Sequence, residues 1–311
     1  MEAELGLLQR AVTVILNLSF AVLVGGSAAS LWLRAAQSPW AAALLPRLRR
    51  ALLAASGAAL LADVAILWVE AASMAEVPLA EALPAVGSVL SATRYGLAWM
   101  IGAAALAVTA ASCAAGLHAP AIRIASLGVL LYSRSMVSHA GAAGDFGWAI
   151  AVDWVHLVLT SIWVGEVIVA GLLAMRPLPD DDAASRSDCA HYVAALSRSA
   201  TVALAGIVVT GAISAWRVLD SPAGLVGNPY GGTLLVKLAL VLCAAALGGA
   251  NRFLVMPALL AALQGAGQPQ RTASRRFARI LQLEAAMLLG VLIAAAFLTS
   301  TPPPMADGTI Q

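Results

Sequence analysis

The chain has 311 residues, of which 61% are apolar and only 11% are charged, and its mean hydropathy is +0.89. Because a soluble domain carries roughly a quarter charged residues, this composition indicates an integral membrane protein rather than a soluble domain. The formal net charge of +2 gives no reason to expect a nucleic-acid partner. Three cysteines lie apart in the sequence, without the spacing of a zinc site or of a disulfide framework.

Eight apolar stretches are long enough to cross a membrane, since a helix needs about 20 residues to span a ~30 Å hydrocarbon core. They lie at about 7–33, 48–72, 95–116, 120–138, 148–175, 192–216, 233–255 and 276–299. The first is too long for a signal peptide and lacks a positively charged start, so we predict a retained span. The connection at about 73–94 is predicted to hold a short surface helix. The predicted fold class is an all-α, polytopic membrane helical bundle of about eight transmembrane helices.

The positions of the arginines predict the orientation of the chain. Most of the 18 basic residues lie in or beside the connections between spans 1 and 2, 3 and 4, 5 and 6, and 7 and 8. Because positively charged connections stay on the cytoplasmic side, both termini are predicted to face outward, on the periplasmic side of a bacterial membrane. The turn that carries His139 then opens to the outside, whereas Glu166 and Glu284 lie in the inner half.

One stretch, residues 136–166, concentrates ionisable groups at the predicted outer face. It ends span 4, turns through several glycines and begins span 5. Asp153 and His156 are three residues apart and share a helical face, which Trp163 continues. An ionisable residue in lipid is costly, so it indicates a functional site by default. Methionine, histidine and carboxylate together are ligand types that suit copper. Met136 and Asp153 lie close to His139 and His156 in this stretch, so we add them as candidate ligands.

Other polar residues also stand in or beside apolar spans. Lys237 and Asp63 are costly there unless something neutralises them, and a charge pair within the bundle is the simplest account. Asn251 and Arg252 are predicted either to cap the end of span 7 or to hold an anionic lipid head group. The supporting polar residues predicted for the site are Trp163, Lys237, Asp63, Tyr230, Asn251 and Arg252.

Several motifs follow one another in a fixed order along the second half of the chain. They are Ser138-His139-Ala140, Asp153-x-x-His156-Leu157, Ser161-Ile162-Trp163-Val164-Gly165, Leu196-Ser197-Arg198, Thr210-Gly211, Asn228-Pro229-Tyr230-Gly231-Gly232-Thr233-Leu234-Leu235-Val236-Lys237, Asn251-Arg252 and Pro257. In this order and spacing, residues 125–300 resemble the copper resistance protein D (CopD) family of bacterial inner-membrane proteins. The first 120 residues resemble it only in their number of spans. Glu166 departs from the family, which more often has a second glycine there.

The resemblance implies a function, a location and a partner. The family moves copper across the bacterial cytoplasmic (inner) membrane, often beside a periplasmic copper-binding protein of the CopC type. It implies that His139 and His156 are the first candidate ligands and that copper is the substrate. It also implies a division into an N-terminal three-helix part, residues 1–120, and a CopD-like membrane domain of five helices with a short tail, residues 121–311. We therefore predict a multi-pass copper transport protein that is not an enzyme.

Two alternatives stay open. The pattern of His156, Trp163 and Gly165, with Lys237, also resembles a small haem-binding membrane oxidase family, in which a helix histidine ligates haem. His156 would then be the axial ligand of haem b in a membrane redox enzyme, for example a cupric reductase. The other alternative is a passive partner of a periplasmic copper carrier. The sequence contains no GxxxxGK[ST] loop, so it gives no indication of ATP hydrolysis.

Overall fold

A computed structural model describes residues 2–116, 120–175, 182–219, 225, 228–265 and 269–301. Within these ranges the regular structure is helical. The α-helices are α1 (Glu2–Trp32), α2 (Pro39–Met74), α3 (Leu83–Ala92), α4 (Arg94–Ala114), α5 (Pro120–Met136), α6 (Trp148–Val169), α7 (Ala183–Leu219), α8 (Pro229–Ala250), α9 (Met256–Leu263) and α10 (Gln270–Thr299). The predicted all-α fold class is therefore confirmed.

Two of the long helices continue through a π-helical turn. In this way α6 extends through Ala170–Ala174, and α8 extends through Asn251–Val255 directly into α9. Single π turns inside helices often lie at functional sites. Short 3-10 turns at Leu79–Glu81 and His139–Ala143 precede α3 and α6. The short helix predicted between spans 2 and 3 is α3.

Among the residues that the structure describes, seven helical stretches are long and apolar enough to cross a membrane. They are Leu5–Trp32, Pro39–Met74, Arg94–Ala114, Trp148–Ala174, Ala183–Arg217, Pro229–Leu263 and Gln270–Thr299. The fourth predicted span coincides with α5, which has only 17 residues. Arg94 at the start of α4 forms a 2.6 Å salt bridge to Asp145, just before α6. Because α4 and α6 therefore begin at the same end of the bundle, α5 carries the chain back across it.

Helices α2 and α7 begin well before the predicted spans at about 48 and 192, because hydropathy follows lipid burial while a helix can continue into polar sequence. Ser38 caps α2, and its hydroxyl accepts a hydrogen bond from the backbone N–H of Ala41 at 3.3 Å. The N-terminal turns of α7, which precede the predicted span, are hydrogen-bonded to the start of α2. The Asp188 carboxylate accepts from the Ser38 N–H, and the Ser185 hydroxyl accepts from the Trp40 N–H, both at 3.2 Å.

Helices α1 and α6 approach each other backbone to backbone. A Cβ atom at Gly25 would overlap the carbonyl group of Gly165, and one at Gly165 would overlap the backbone of Ala21. Small residues let membrane helices approach in this way. Glu166 does not prevent this contact, because its side chain turns to α7 and accepts a 2.6 Å hydrogen bond from Ser199.

Helix α8 lies at the edge of the bundle. It packs mainly against α10, and many of its apolar side chains are exposed, among them Leu235, Val236, Leu238 and Leu242. Exposed apolar side chains fit a lipid-facing surface. The predicted copper residue His156 of α6 is half-buried in this part of the bundle.

Candidate functional site

The turn between α5 and α6 is held by a network of short polar side chains around Asp153. Ser138 caps the 3-10 turn His139–Ala143 through the backbone N–H of Ala140. The hydroxyl of Ser138 lies 3.0 Å from Asp153 Oδ2, to which it donates, and Ser135 of α5 is a second hydrogen-bonding neighbour of this carboxylate. Asp153 thus fixes the histidine-bearing turn against the first turns of α6.

His156 of α6 is oriented by α7. Its Nδ1 atom lies 2.9 Å from the hydroxyl oxygen of Thr210. That hydroxyl donates its own proton to the carbonyl of Gly206 at 2.7 Å, so it accepts from Nδ1–H. A neutral imidazole protonated at Nδ1 keeps a lone pair on Nε2. The geometry therefore gives His156 one nitrogen for orientation and leaves the other with the lone pair that a metal ligand needs.

Three elements bring the charged groups of this region together. Asp153 of α6 interacts electrostatically with His139 of the turn and with Lys237 of α8. Lys237 also acts on His156. We call His139, Asp153, His156 and Lys237 the outer cluster, after the membrane side that the sequence predicts for it. The Asp153 carboxylate acts on the Lys237 ammonium, and the charge pair expected for Lys237 stays a prediction.

The outer cluster is not a closed metal shell. His139 is exposed, whereas Met136 is only 7% exposed and belongs to the buried core. Among the residues that the structure describes, no three His, Cys, Asp or Glu side chains group in a way that could hold a metal ion. The assignment of His139, His156, Met136 and Asp153 as metal ligands therefore stays a prediction. The residue that orients His156 is Thr210 of α7.

Asp63 belongs to a separate network on the other side of α5. It interacts electrostatically with Arg134 of α5, which also acts on Glu70 and Tyr95. The indole N–H of Trp99 donates to the backbone carbonyl of Asp63 at 3.0 Å. This arrangement fits the charge pair expected for Asp63 and indicates a structural role.

The remaining supporting residues lie on α8 and its continuation. Tyr230 stands in the first turn of α8, whose N-terminus Asn228 caps through the N–H of Gly231 at 2.7 Å. Asn251 and Arg252 were expected either to cap the end of span 7 or to hold an anionic lipid head group. The helix continues through the π turn into α9, so they do not end it, and the lipid contact stays a prediction. Arg252 instead binds α7, because its Nη1 atom donates to the carbonyl and hydroxyl of Ser197 and to the Thr201 hydroxyl.

Trp163, the supporting residue of α6, bonds to a residue that the sequence did not link to it. Its indole N–H donates to Oε1 of Glu284 on α10 at 3.0 Å. The two residues are separated by 121 positions. The sequence indicated only that Trp163 and Glu284 both lie in apolar spans and that Glu284 is an ionisable residue there.

Comparison with protein families matches two parts of the chain. Residues 190–298 match the family model described as copper resistance protein D, and residues 5–149 match the model described as copper resistance protein D-like, N-terminal domain. His139 lies in the second of these segments and Lys237 in the first. Asp153, His156 and Trp163 lie between them.

Two curated proteins are similar in sequence. Copper resistance protein D of Pseudomonas syringae pv. tomato is 31% identical over 237 residues, which cover 73% of this chain and 75% of that protein. Copper transport protein CutJ of Bacillus subtilis (strain 168) is 28% identical over 175 residues, which cover 56% of this chain and 29% of that protein. No solved structure matches the chain.

Proposed function

This chain belongs to the copper resistance protein D family, and from that premise we propose that it accepts copper at the outer face of the membrane and moves it inward. The membership makes it a multi-pass protein of the bacterial inner membrane that takes part in copper resistance or transport. The outer cluster as the entry site and the inward direction are our proposals.

The observation that carries the proposal is the hydrogen bond between His156 and Thr210. Because Thr210 occupies Nδ1, the lone pair on Nε2 is available for a metal. The edge position of α8 also leaves this part of α6 less covered than the centre of the bundle.

In the proposed route, copper reaches His156 through the turn between α5 and α6. His139 is exposed at the surface and is the first imidazole that a metal from the periplasm meets. Asp153 interacts with His139 and stands one helical turn from His156. Its carboxylate attracts a cation, and the buried thioether of Met136 at the end of α5 adds a soft ligand suited to the cuprous state.

A periplasmic copper-binding protein of the CopC type is the proposed donor. His139 is exposed at the start of the 3-10 turn His139–Ala143, so a donor can approach its imidazole directly. Transfer of copper between imidazole or thioether ligands of two proteins needs only an exchange of ligands. The copper ion is the transported substrate in this proposal and not a resident cofactor.

Replacement of the two histidines tests the proposal. We expect cells with the double variant His139→Ala/His156→Ala to lose the copper accumulation that the wild-type protein supports. His191→Ala is the matched control, because His191 is an exposed histidine of α7 outside the outer cluster. Copper analysis of the cells, at equal protein amounts in the membrane, gives the result. Unchanged accumulation in the double variant would refute the ligand assignment.

A visible spectrum and metal analysis of one purified sample separates copper from haem. Copper without a Soret band supports the proposal. A Soret band at about one haem per chain, lost in His156→Ala, would make His156 an axial haem ligand and replace transport by electron transfer.

A further inference from the structure

A second polar site lies deeper in the bundle than the outer cluster. A cavity of about 280 Å³ lies between α6, α7, α10 and the segment that joins α8 to α9. Trp163 faces it from α6, and Glu284 faces it from α10. Trp163 follows His156 by seven residues, so the cavity begins about 10 Å further along α6. The copper site proposed above does not use this cavity.

Glu284 is a buried carboxylate with little to neutralise it. It is 2% exposed, and its Oε1 atom accepts one hydrogen bond, from the Trp163 indole N–H. Within the described ranges it forms no salt bridge. Burial of an ionised carboxylate costs several kcal/mol without a compensating cation. The site therefore favours a carboxylate that has bound a cation, such as a proton.

The other groups around the cavity leave Glu284 without a partner of opposite charge in contact. Arg252 lines the same cavity, but its Nη1 atom donates three hydrogen bonds to Ser197 and Thr201 of α7. Ser197 and Thr201, which face the cavity from α7, do not titrate. Glu166 of α6 is directed to Ser199 and does not line the cavity.

The backbone of α8 is shaped around this carboxyl group. A Cβ atom at Gly248 would lie 2.9 Å from Glu284 Oε1, which is closer than real contacts allow. The glycine therefore keeps space for the carboxyl group. On α6, Thr160 lies between His156 and Trp163, and its buried hydroxyl has no hydrogen-bond partner in the part of the chain that is described. Polar groups thus extend along α6 from the outer cluster towards the cavity.

We propose that Glu284 is a proton-binding carboxylate that exchanges one proton for one monovalent copper ion during transport. This inference rests on the proposed copper transport. Glu284 holds a proton when the cavity is empty and releases it to the side from which copper arrives, so that the charge of the cavity stays constant. It takes up a proton from the opposite side when copper leaves to that side. Trp163 is a positioning residue, because its N–H holds the carboxyl group at the cavity wall.

Copper bound permanently at this place is the competing outcome, since Met256 also lines the cavity and a thioether suits cuprous copper. The cavity has a single carboxylate and apolar walls, and both features favour a proton over a permanently bound copper ion at Glu284. The two outcomes differ in the resting protein purified without added copper. Permanently bound copper would be present there and lost in Glu284→Gln, whereas proton exchange leaves the resting cavity of both proteins without copper.

The test uses the full chain in proteoliposomes that contain a pH-sensitive dye, with copper supplied outside under reducing conditions. For one proton exchanged per copper ion, a pH difference of one unit changes the accumulation ratio by up to about tenfold. We expect this response in the wild-type protein and in Glu166→Gln, the control, which changes an equally buried carboxylate outside the cavity. Glu284→Gln is expected to lose the response while it still binds copper at the outer cluster.

An infrared measurement keeps the proposal separate from copper transport. We expect the band of one protonated carboxylic acid to be absent in Glu284→Gln and shifted in Trp163→Phe. Two results would contradict the proton exchange: copper uptake by the wild-type protein that does not depend on the pH difference, or a pH response that is retained in Glu284→Gln. Neither result would contradict the proposed function. Vesicles that move no copper would refute the proposed function, and loss or persistence of the infrared band would then decide whether Glu284 holds a proton.

Discussion

The imidazole of His156 on α6 and the hydroxyl of Thr210 on α7 lie 2.9 Å apart, and the hydroxyl proton is already donated to the carbonyl of Gly206. This pair joins two helices and selects the histidine tautomer that leaves Nε2 for a ligand. A Cβ atom at Gly211 would lie 3.4 Å from Cε1 of His156, an ordinary van der Waals distance, so the next residue of α7 packs beside the ring.

Removal of the hydroxyl should weaken copper binding. Thr210→Val keeps the volume of the side chain but removes the acceptor for Nδ1–H, so the ring can rotate and change tautomer. We expect a loss of about 10- to 100-fold in copper affinity, as for other residues that orient a ligand. Thr210→Ser keeps the hydroxyl and is expected to bind within a few-fold of wild type. Competition titration with a cuprous chelator measures both, and equal affinity of the valine and serine variants would contradict the role of Thr210.

The Asp153 and Lys237 pair should show coupling. Asp153→Asn leaves the ammonium of Lys237 beside His156 without a carboxylate, so we expect copper binding to weaken by about tenfold or more. Lys237→Met in the same chain removes that repulsion and should restore part of the affinity. A double-mutant cycle on copper affinity measures this coupling. Additive effects of the two substitutions would show that the charges do not act on one copper site.

The Asp63 and Arg134 network should affect stability but not copper. Asp63→Asn removes one of the two carboxylates that act on Arg134, the other being Glu70, and we expect a loss of about 1 kcal/mol. Copper bound per purified chain should not change, because α5 separates this network from the outer cluster. Thermal unfolding in detergent and metal analysis of the same sample give both quantities. A stable variant that lacks copper would place Asp63 in the copper route.

The glycine contact between α1 and α6 should tolerate no side chain. Gly165→Ala places a methyl group on the backbone of Ala21, so we expect destabilisation of about 3 kcal/mol or more. Gly57→Ala is the control, because Gly57 also lies in a helix and nothing lies within 4 Å of the added Cβ atom. Melting in detergent should fall for the first variant and stay within a few degrees for the second. Equal melting of the two variants would contradict the close packing.

Much of the fold follows from local properties of the sequence. Hydropathy located the spans, and the spacing of Asp153 and His156 placed them on one helical face, because both signals depend on neighbours in the chain. Partners from distant segments were not predictable. Thr210 lies 54 positions from His156, and Glu284 lies 121 positions from Trp163. Such pairs depend on how the helices rotate and approach one another, for which a single sequence carries no periodic signal.

X-ray absorption at the copper edge tests the central claim that His156 binds copper through Nε2. The measurement compares copper-loaded wild-type protein, His156→Ala and the control His191→Ala, all in detergent. We predict that the imidazole scattering of the wild-type spectrum is retained in the control and reduced in His156→Ala, with less copper bound per chain. A spectrum and copper content of His156→Ala equal to those of the wild type would contradict the account.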